Sequence, residues 1–509
     1  MKKILLFLPV LFFPCFVQAQ SAYDALRYSR IFYLGTARSA SMGNAMTALG
    51  GDFGALSINP AGSAVYPYTE FTFTPVLHNA VTQSDYLSSQ FENTRTCFDV
   101  ANLGYVSSFK TSNYSGLASV SFGFGYNALQ NFTDRLSVSG ETDQSSWLAA
   151  LASNTNGIFA QDMDQNSSQN PFHNGSLPWK AILAWNASLL DTIPGSRGTH
   201  YKAATETLYG ESIFIPGTLG QNYSRESSGN VGEYVINMGL NFSHQFFIGA
   251  NIGIQSISYK YKEYYSEKAL YPHDFAQTQF GSFTHTYNQT TTGVGLNLKV
   301  GFIYLPVKNV RLGAAISTPT WMRLREEWEE RITADFMDGY GQSLTSPLGE
   351  YEYKVNTPFR WNAGIAYTFG EYGAVSIDYE RTAYNKIYMG SSDFNNPFTQ
   401  DNSFIKKEFQ PVSSIRAGLE FNLNDGFSLR GGYAYHGSPE RNYTQNIHIA
   451  SLGIGLHMGT FSTDLAFINQ FPQKEYFSLY DDVIGYEPAP VGTQTIVNWK
   501  LLLTLGMKF

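Results

Sequence analysis

The sequence predicts an all-β protein, a transmembrane antiparallel β-barrel of about 14 strands. Aromatic residues make up 16% of the 509 residues and charged residues only 15%. No apolar run reaches the roughly 20 residues of a membrane-spanning helix. Instead, segments that alternate apolar and polar residues recur along most of the chain. This pattern is typical of strands that cross a membrane as a closed barrel.

The first 19 residues are typical of a secretory signal peptide. Two lysines precede the apolar run 4–17, and cleavage is expected after Ala19. The run is short for a transmembrane anchor, and the bulky residues before Cys15 do not fit a lipoprotein signal. Cys97 is then the remaining cysteine, so we expect no intramolecular disulfide to stabilise the fold.

The last strand has the clearest alternation. Over 495–509, odd positions are almost all apolar, whereas even positions include Lys500 and Lys508. One face therefore suits lipid and the other a polar interior. A strand of a soluble sandwich also alternates, but rarely over this length. The terminal Phe509 resembles the signal by which the barrel assembly machinery recognises outer-membrane barrels.

The same alternation predicts thirteen further strands. Short connections alternate with long polar ones, as in outer-membrane barrels whose long loops face outside the cell. An even number of strands then places both chain ends in the periplasm. The predicted strands cover 69–77, 97–109, 115–129, 231–243, 246–262, 289–305, 310–329, 350–369, 372–387, 412–423, 426–437, 447–458, 460–470 and 493–509.

A plug is expected in front of the first strand. A barrel of about fourteen strands leaves a lumen that would leak unless something filled it. Residues 35–61 are rich in Gly, Ala and Ser, carry almost no charge and follow neither the helical nor the strand period. We therefore predict that residues 20–67 form an N-terminal hatch, or plug, inside a barrel built from residues 68–509.

An ordered set of short motifs resembles the hatch of the FadL/TodX family of outer-membrane transporters, in its Bacteroidetes branch. The set comprises Asp24–Ser29, Gly35–Arg38, Met42–Ala45, Gly51-Asp52 and Asn59–Gly62. The resemblance implies a fourteen-stranded barrel with a hatch that contains Asn59, Pro60 and Ala61. It also implies an inward kink in the third strand, through which the substrate leaves sideways into the membrane.

Gly123 and Gly125 occupy two successive inward positions of the predicted third strand. Glycine permits a bend or a close backbone approach, so these positions could form the gate. Asn59 is then expected to bind strand backbone left unpaired near the two glycines. The alternative is that they are ordinary barrel glycines.

Residues 130–230 form the longest predicted insertion, extracellular and partly helical. Short helices are expected near 146–151 and 178–190. Their apolar side chains could line a substrate groove or pack as the core of the insertion itself. These residues are Trp179, Ile182, Leu183, Trp185, Leu189 and Leu190.

Several functions are disfavoured by the sequence. The nine histidines are scattered without metal-ligand spacing, no hydrolase motif is present, and the net charge of −8 does not favour nucleic-acid binding. We expect neither an enzyme nor a cofactor. The charge run 323–331 is interpreted as a solvated face, at a strand end or on a helix.

Two functions remain. The first is passive transport of long-chain fatty acids or other hydrophobic small molecules across the bacterial outer membrane, with outer-membrane lipid and the barrel assembly machinery as further partners. The second is a protein-handling barrel similar to a type IX secretion shuttle of the Bacteroidetes, which would need no lateral exit.

Overall fold

The computed structural model describes residues 22–111, 116–165, 170–391, 396–424, 426–442, 445–482 and 488–509. The expected signal peptide and Cys15 lie outside these residues. Among the described residues, no helix is both long enough and apolar enough to cross a membrane.

Fourteen antiparallel strands form a closed barrel, as the sequence predicts. The last strand pairs with the first from Glu70↔Lys508 to Asp85↔Thr493, which leaves no open edge. The strands are β1 Glu70–Tyr86, β2 Ser89–Lys110, β3 Leu117–Asn131 with Asp134–Thr142, β4 Leu219–Phe242, β5 Phe246–Ala269, β6 Phe280–Val307, β7 Val310–Ser317 with Trp321–Phe336, β8 Gly341–Thr345, Gly349–Asn356 and Arg360–Thr368, β9 Gly373–Ala383, β10 Pro411–Asn424, β11 Phe427–His436, β12 Ile447–Met458, β13 Phe461–Ser478 and β14 Val491–Lys508.

The period-two pattern separates the two faces of the wall. On β6, Val294, Leu296 and Leu298 are exposed, whereas the intervening Asn297 and Lys299 are buried. The exposed set forms a lipid-facing band, and the polar set points into the barrel. Polar side chains therefore face the lumen, where other polar groups can satisfy them.

Several predicted loops are strands instead. Residues 78–96 were expected to connect the first two strands, but the two strands run on and turn tightly at Leu87 and Ser88. β4, β5, β6 and β7 likewise extend well past the lipid-facing band. The outward face of a strand is polar there instead of apolar, so the alternation that marks a lipid-facing strand fades although the backbone pairing continues.

Four α-helices and two small hairpins lie among the long connections of the described chain. The insertion between β3 and β4 contains the helices Trp147–Thr155, Ala160–Met163 and Trp179–Asn186, the first and last near the predicted positions. A further helix, Thr399–Glu408, follows β9. Ser146 caps helix Trp147–Thr155 because its hydroxyl accepts hydrogen bonds from the N–H groups of Leu148 and Ala149.

Residues 22–69, here called the N-terminal segment, run through the lumen. The segment begins with helix Ala22–Ser29, which contacts helix Thr399–Glu408. This contact lies at the end of the barrel that carries the long connections. It ends with a 3-10 helix, Pro60–Val65, near the short turns. Most of its side chains are buried.

The predicted placement of both chain ends on one side is therefore wrong for the described chain. Ala22 lies at the end of the long connections, whereas Phe509 donates its N–H to Thr69 O (2.9 Å) at the end of the short turns. The even strand count does place the start of β1 and the end of β14 together. The N-terminal segment then crosses the lumen to the opposite end.

Candidate transport pathway

A ring of inward-facing glycines, here called the girdle, lets the N-terminal segment pack directly against the wall. A side chain at any of them would bring its Cβ to within 3.0 Å of an atom of the segment. The wall and the segment thus fit together at van der Waals distance around most of the circumference. The girdle comprises Gly104, Gly125, Gly239, Gly249, Gly301, Gly313, Gly364, Gly418, Gly432 and Gly453.

Asn59 binds the wall, but on a strand other than the predicted one. Its Nδ2 donates to Phe302 O of β6 (3.0 Å) and to Thr47 O (2.6 Å), while its Oδ1 accepts from Ala61 N (3.1 Å). The expectation that Asn59 contacts β3 was wrong, because Asn59 lies over Gly301 of β6. Pro60 lies beside Gly249 of the neighbouring β5.

Gly123 and Gly125 lie in a fully paired part of β3. Around them β3 pairs with β2 from Asn102↔Asn127 to Lys110↔Ser119 and with β4 on its other side. Their lumenal neighbours are Leu56 and Phe53 of the N-terminal segment. The two glycines therefore accommodate the segment, and the wall is continuous at this height.

The backbone pairing is interrupted farther along the same two strands. Residues 89–101 of β2 pair with β1, but in the described chain they form no backbone ladder with β3. Residues 134–142, the part of β3 nearest the long connections, pair with β4 alone. We call this boundary the seam. It begins within the lipid-facing band, because Phe98 still points outward and is 72% exposed.

Side chains bridge the seam where the ladder is missing. Asn93 Nδ2 donates to Ser137 O (3.2 Å), and Cys97 Sγ lies 3.1 Å from Thr133 Oγ1. Arg95 donates to Ser227 O (3.1 Å) and forms an ion pair with Glu226 of β4. A further bond joins Asn230 to Asp99 (2.8 Å).

The N-terminal segment replaces β2 where β2 leaves β3. Phe32 N donates to Leu129 O (2.7 Å) and Leu34 N donates to Ala128 O (3.2 Å). These carbonyls would otherwise be unpaired at membrane depth, which is costly. The role predicted for the Asn59 side chain is thus performed by the backbone of residues 32 and 34, which no side-chain pattern signals.

A small cavity of about 30 Å³ lies beside residues 32–34. Its lining combines apolar side chains, among them Phe32 and Ile468, with the cationic groups of Arg416 and Lys500. Arg416 is buried and donates through Nη1 to Glu380 (3.1 Å), but its Nε and Nη2 have no hydrogen-bond partner among the described atoms. Both cations were visible in the sequence as polar positions of alternating strands.

A larger and more polar cavity of about 560 Å³ opens near the short turns. Arg38 of the N-terminal segment donates Nε and Nη2 to Glu420 of β10 (2.8 and 3.0 Å). Arg430 donates to Glu420 and to Asp464, both at 2.6 Å. This network ties the segment to the wall at a second place. In the described chain, no set of three potential metal ligands is grouped.

The candidate groove residues lie mostly in the interior of the insertion. Ile182, Leu183 and Leu189 are fully buried, and Leu190 is 3% exposed, in one cluster with aromatic residues of β5 and β6. They match the alternative in which these side chains form the core of the insertion. Trp179 and Trp185 are half-buried, with rings against Trp328 and Tyr201 respectively.

Several solved structures are similar to this chain. The Pseudomonas putida toluene transporter TodX matches with 13% identity and a TM-score of 0.51, over 93% of this chain and 98% of that one. A Pseudomonas aeruginosa FadL homologue matches with 13% identity and a TM-score of 0.51, over 94% of this chain and 100% of that one. The Ralstonia pickettii toluene transporter TbuX matches with 13% identity and a TM-score of 0.50, over 93% of this chain and 98% of that one.

This chain has the FadL-type barrel fold. The FadL-type fold confirms the resemblance predicted from the short motifs, and it covers more than nine-tenths of the chain. No protein-family model and no curated protein sequence matches the chain. The likeness is therefore one of architecture, with little of the sequence retained.

Proposed function

We propose that this protein transports hydrophobic small molecules passively across the outer membrane and releases them sideways through the seam. The FadL-type fold supports this, since structures sharing it include toluene transporters. The observation that carries the proposal is the replacement of backbone pairing by side-chain contacts over residues 89–101, a stretch that begins within the lipid-facing band at Phe98. The N-terminal segment acts as the plug that closes the lumen to water.

The seam is the place where the wall can open at the lowest cost. Opening a paired strand boundary in lipid would expose a row of backbone N–H and C=O groups. At the seam, opening separates a few side-chain contacts, each of which contributes about 0.5–1.5 kcal/mol. The apolar surface around Phe98 then lies next to the lipid tails, where a hydrophobic substrate is more stable than in water.

The cavity beside residues 32–34 favours hydrophobic acids, including long-chain fatty acids, among the substrates. A carboxylate could accept charge-assisted hydrogen bonds from the free donors of Arg416 and from Lys500. Lys500→Gln is expected to slow uptake of a fatty acid several-fold but leave its methyl ester unaffected.

A disulfide across the seam tests the lateral exit. Cys97 lies beside Thr133, so Thr133→Cys should allow a cross-link with the native thiol. Uptake of a fluorescent fatty acid should fall at least tenfold under oxidation and recover with reductant. Thr133→Cys combined with Cys97→Ser is the matched control, because it carries one thiol and cannot lock the seam.

The outcomes separate the proposal from its alternative. Unchanged uptake in the cross-linked barrel would contradict a lateral exit at the seam. Co-purification of one secreted protein in place of fatty acids, with no uptake in the wild type, would support the protein-handling barrel.

A further inference from the structure

Two basic side chains stand together on the outer surface of the barrel. Arg323 of β7 and Lys354 of β8 face each other directly across the antiparallel pair. Both are exposed and point away from the lumen. Like charges placed directly opposite each other destabilise a sheet, so this arrangement is unfavourable unless an anion lies between them.

The pair sits at the upper border of the lipid-facing band. Arg323 is the cross-strand neighbour of Val294, which is 60% exposed. The next outward residues toward the short turns are Leu296 and Trp321, 46% and 48% exposed. An exposed Trp below two cations marks the boundary between acyl chains and head groups.

Neighbouring acids do not neutralise the pair. Glu327 and Glu350 lie within 3.0 Å of Arg325, one outward position farther from the lipid. Among the described residues, neither Arg323 nor Lys354 has an ion-pair partner. The nearest other acid on this outward face, Glu352, lies directly opposite Arg325 and forms no ion pair with either cation in the described chain. The border of the band thus carries two positive charges that no ion pair holds.

We propose that Arg323 and Lys354 bind the phosphate group of an anionic glycolipid in the outer leaflet. The guanidinium offers a planar fork to phosphate oxygens and the ammonium a point charge. The acyl chains would lie along the apolar side chains of β6 and β7 beneath them. The site lies on the outer surface and is independent of the lumenal pathway.

Native mass spectrometry of the purified barrel with lipid A tests the site. The wild type should bind diphosphorylated lipid A, and Arg323→Gln/Lys354→Gln should bind it about 25-fold more weakly, roughly fivefold per charge. Lys268→Gln is the matched control, since Lys268 is exposed on β5 much farther from the lipid band. This control should bind like the wild type.

Dephosphorylated lipid A and inorganic phosphate complete the experiment. The wild type should bind neither, a result that supports the proposal even if the double variant fails to assemble. Equal binding of dephosphorylated lipid A, binding of free phosphate with the same affinity, or an equal loss in Lys268→Gln would overturn it. The proposal rests on the long connections facing outside, which labelling of a tag at Asp481 on intact cells tests separately.

Discussion

The two sides of β3 are held by different means. On one side β3 pairs with β4 over nearly its whole length, from Leu117↔Phe242 to Thr142↔Leu219. On the other side its ladder to β2 ends at Asn102↔Asn127, and side chains and the N-terminal segment take over. A barrel can therefore keep one boundary ready to open while the neighbouring one stays closed.

The largest effect is expected from a change at a third strand boundary, the one between β14 and β1. Phe509 lies one residue beyond the pair Glu70↔Lys508, with its side chain 67% exposed. We predict that deleting Phe509 lowers the amount of barrel in the outer membrane several-fold, because the assembly machinery loses its recognition signal. Heat-modifiable mobility of the remaining barrel should be normal, and unchanged abundance would contradict the prediction.

The girdle offers the next test, because it lies where the wall is fully paired. Gly301→Val would place side-chain atoms against Asn59 and displace the N-terminal segment. We expect a strong increase in sensitivity to large hydrophilic antibiotics. Gly431→Val is the control, since a Cβ at Gly431 has its nearest neighbour at 3.9 Å. Equal antibiotic sensitivity of both variants would contradict a plug at the girdle.

Asn59→Ala should have a smaller effect at the same place. The substitution removes the bonds to Phe302 O and Thr47 O, and leaves buried carbonyls with a penalty of about 1–3 kcal/mol. This is enough to loosen the segment but too little to unfold the barrel. Antibiotic sensitivity should rise less than in Gly301→Val at matched abundance, and wild-type sensitivity would argue against the role of Asn59.

The smallest change is expected at the seam. Arg95→Ala removes the contacts to Glu226 and Ser227 and should accelerate uptake of a fatty acid by a few-fold, since about 1 kcal/mol corresponds to a factor of five. Antibiotic sensitivity should not change, because the plug stays in place. Slower uptake would mean that Arg95 guides the substrate instead of closing the seam.

Most of the wall could be predicted from the sequence because period-two alternation depends on neighbouring residues. β6 and β14 show lipid and lumen faces without any knowledge of their partners. The strand ends beyond the band could not be predicted, since their outward face is polar there and no longer contrasts with the inward face in the lipid-facing sense. The hairpin at Leu87 and Ser88 is the clearest case.

The site was predicted less well, because its contacts join residues far apart in the chain. Asn59, Gly123 and Gly125 all face the boundary between wall and segment. Their partners differ from the prediction. Nothing local indicates that Asn59 meets β6, or that the backbone of Phe32 completes β3.

The packing of the N-terminal segment against the glycine girdle also depends on the register of the strands. A strand that slipped by one residue would turn an outward side chain into the lumen. On β6 such a slip would place Val300 or Phe302 where Gly301 now meets Asn59. Only a wall with nearly every strand in register can hold the segment at van der Waals distance.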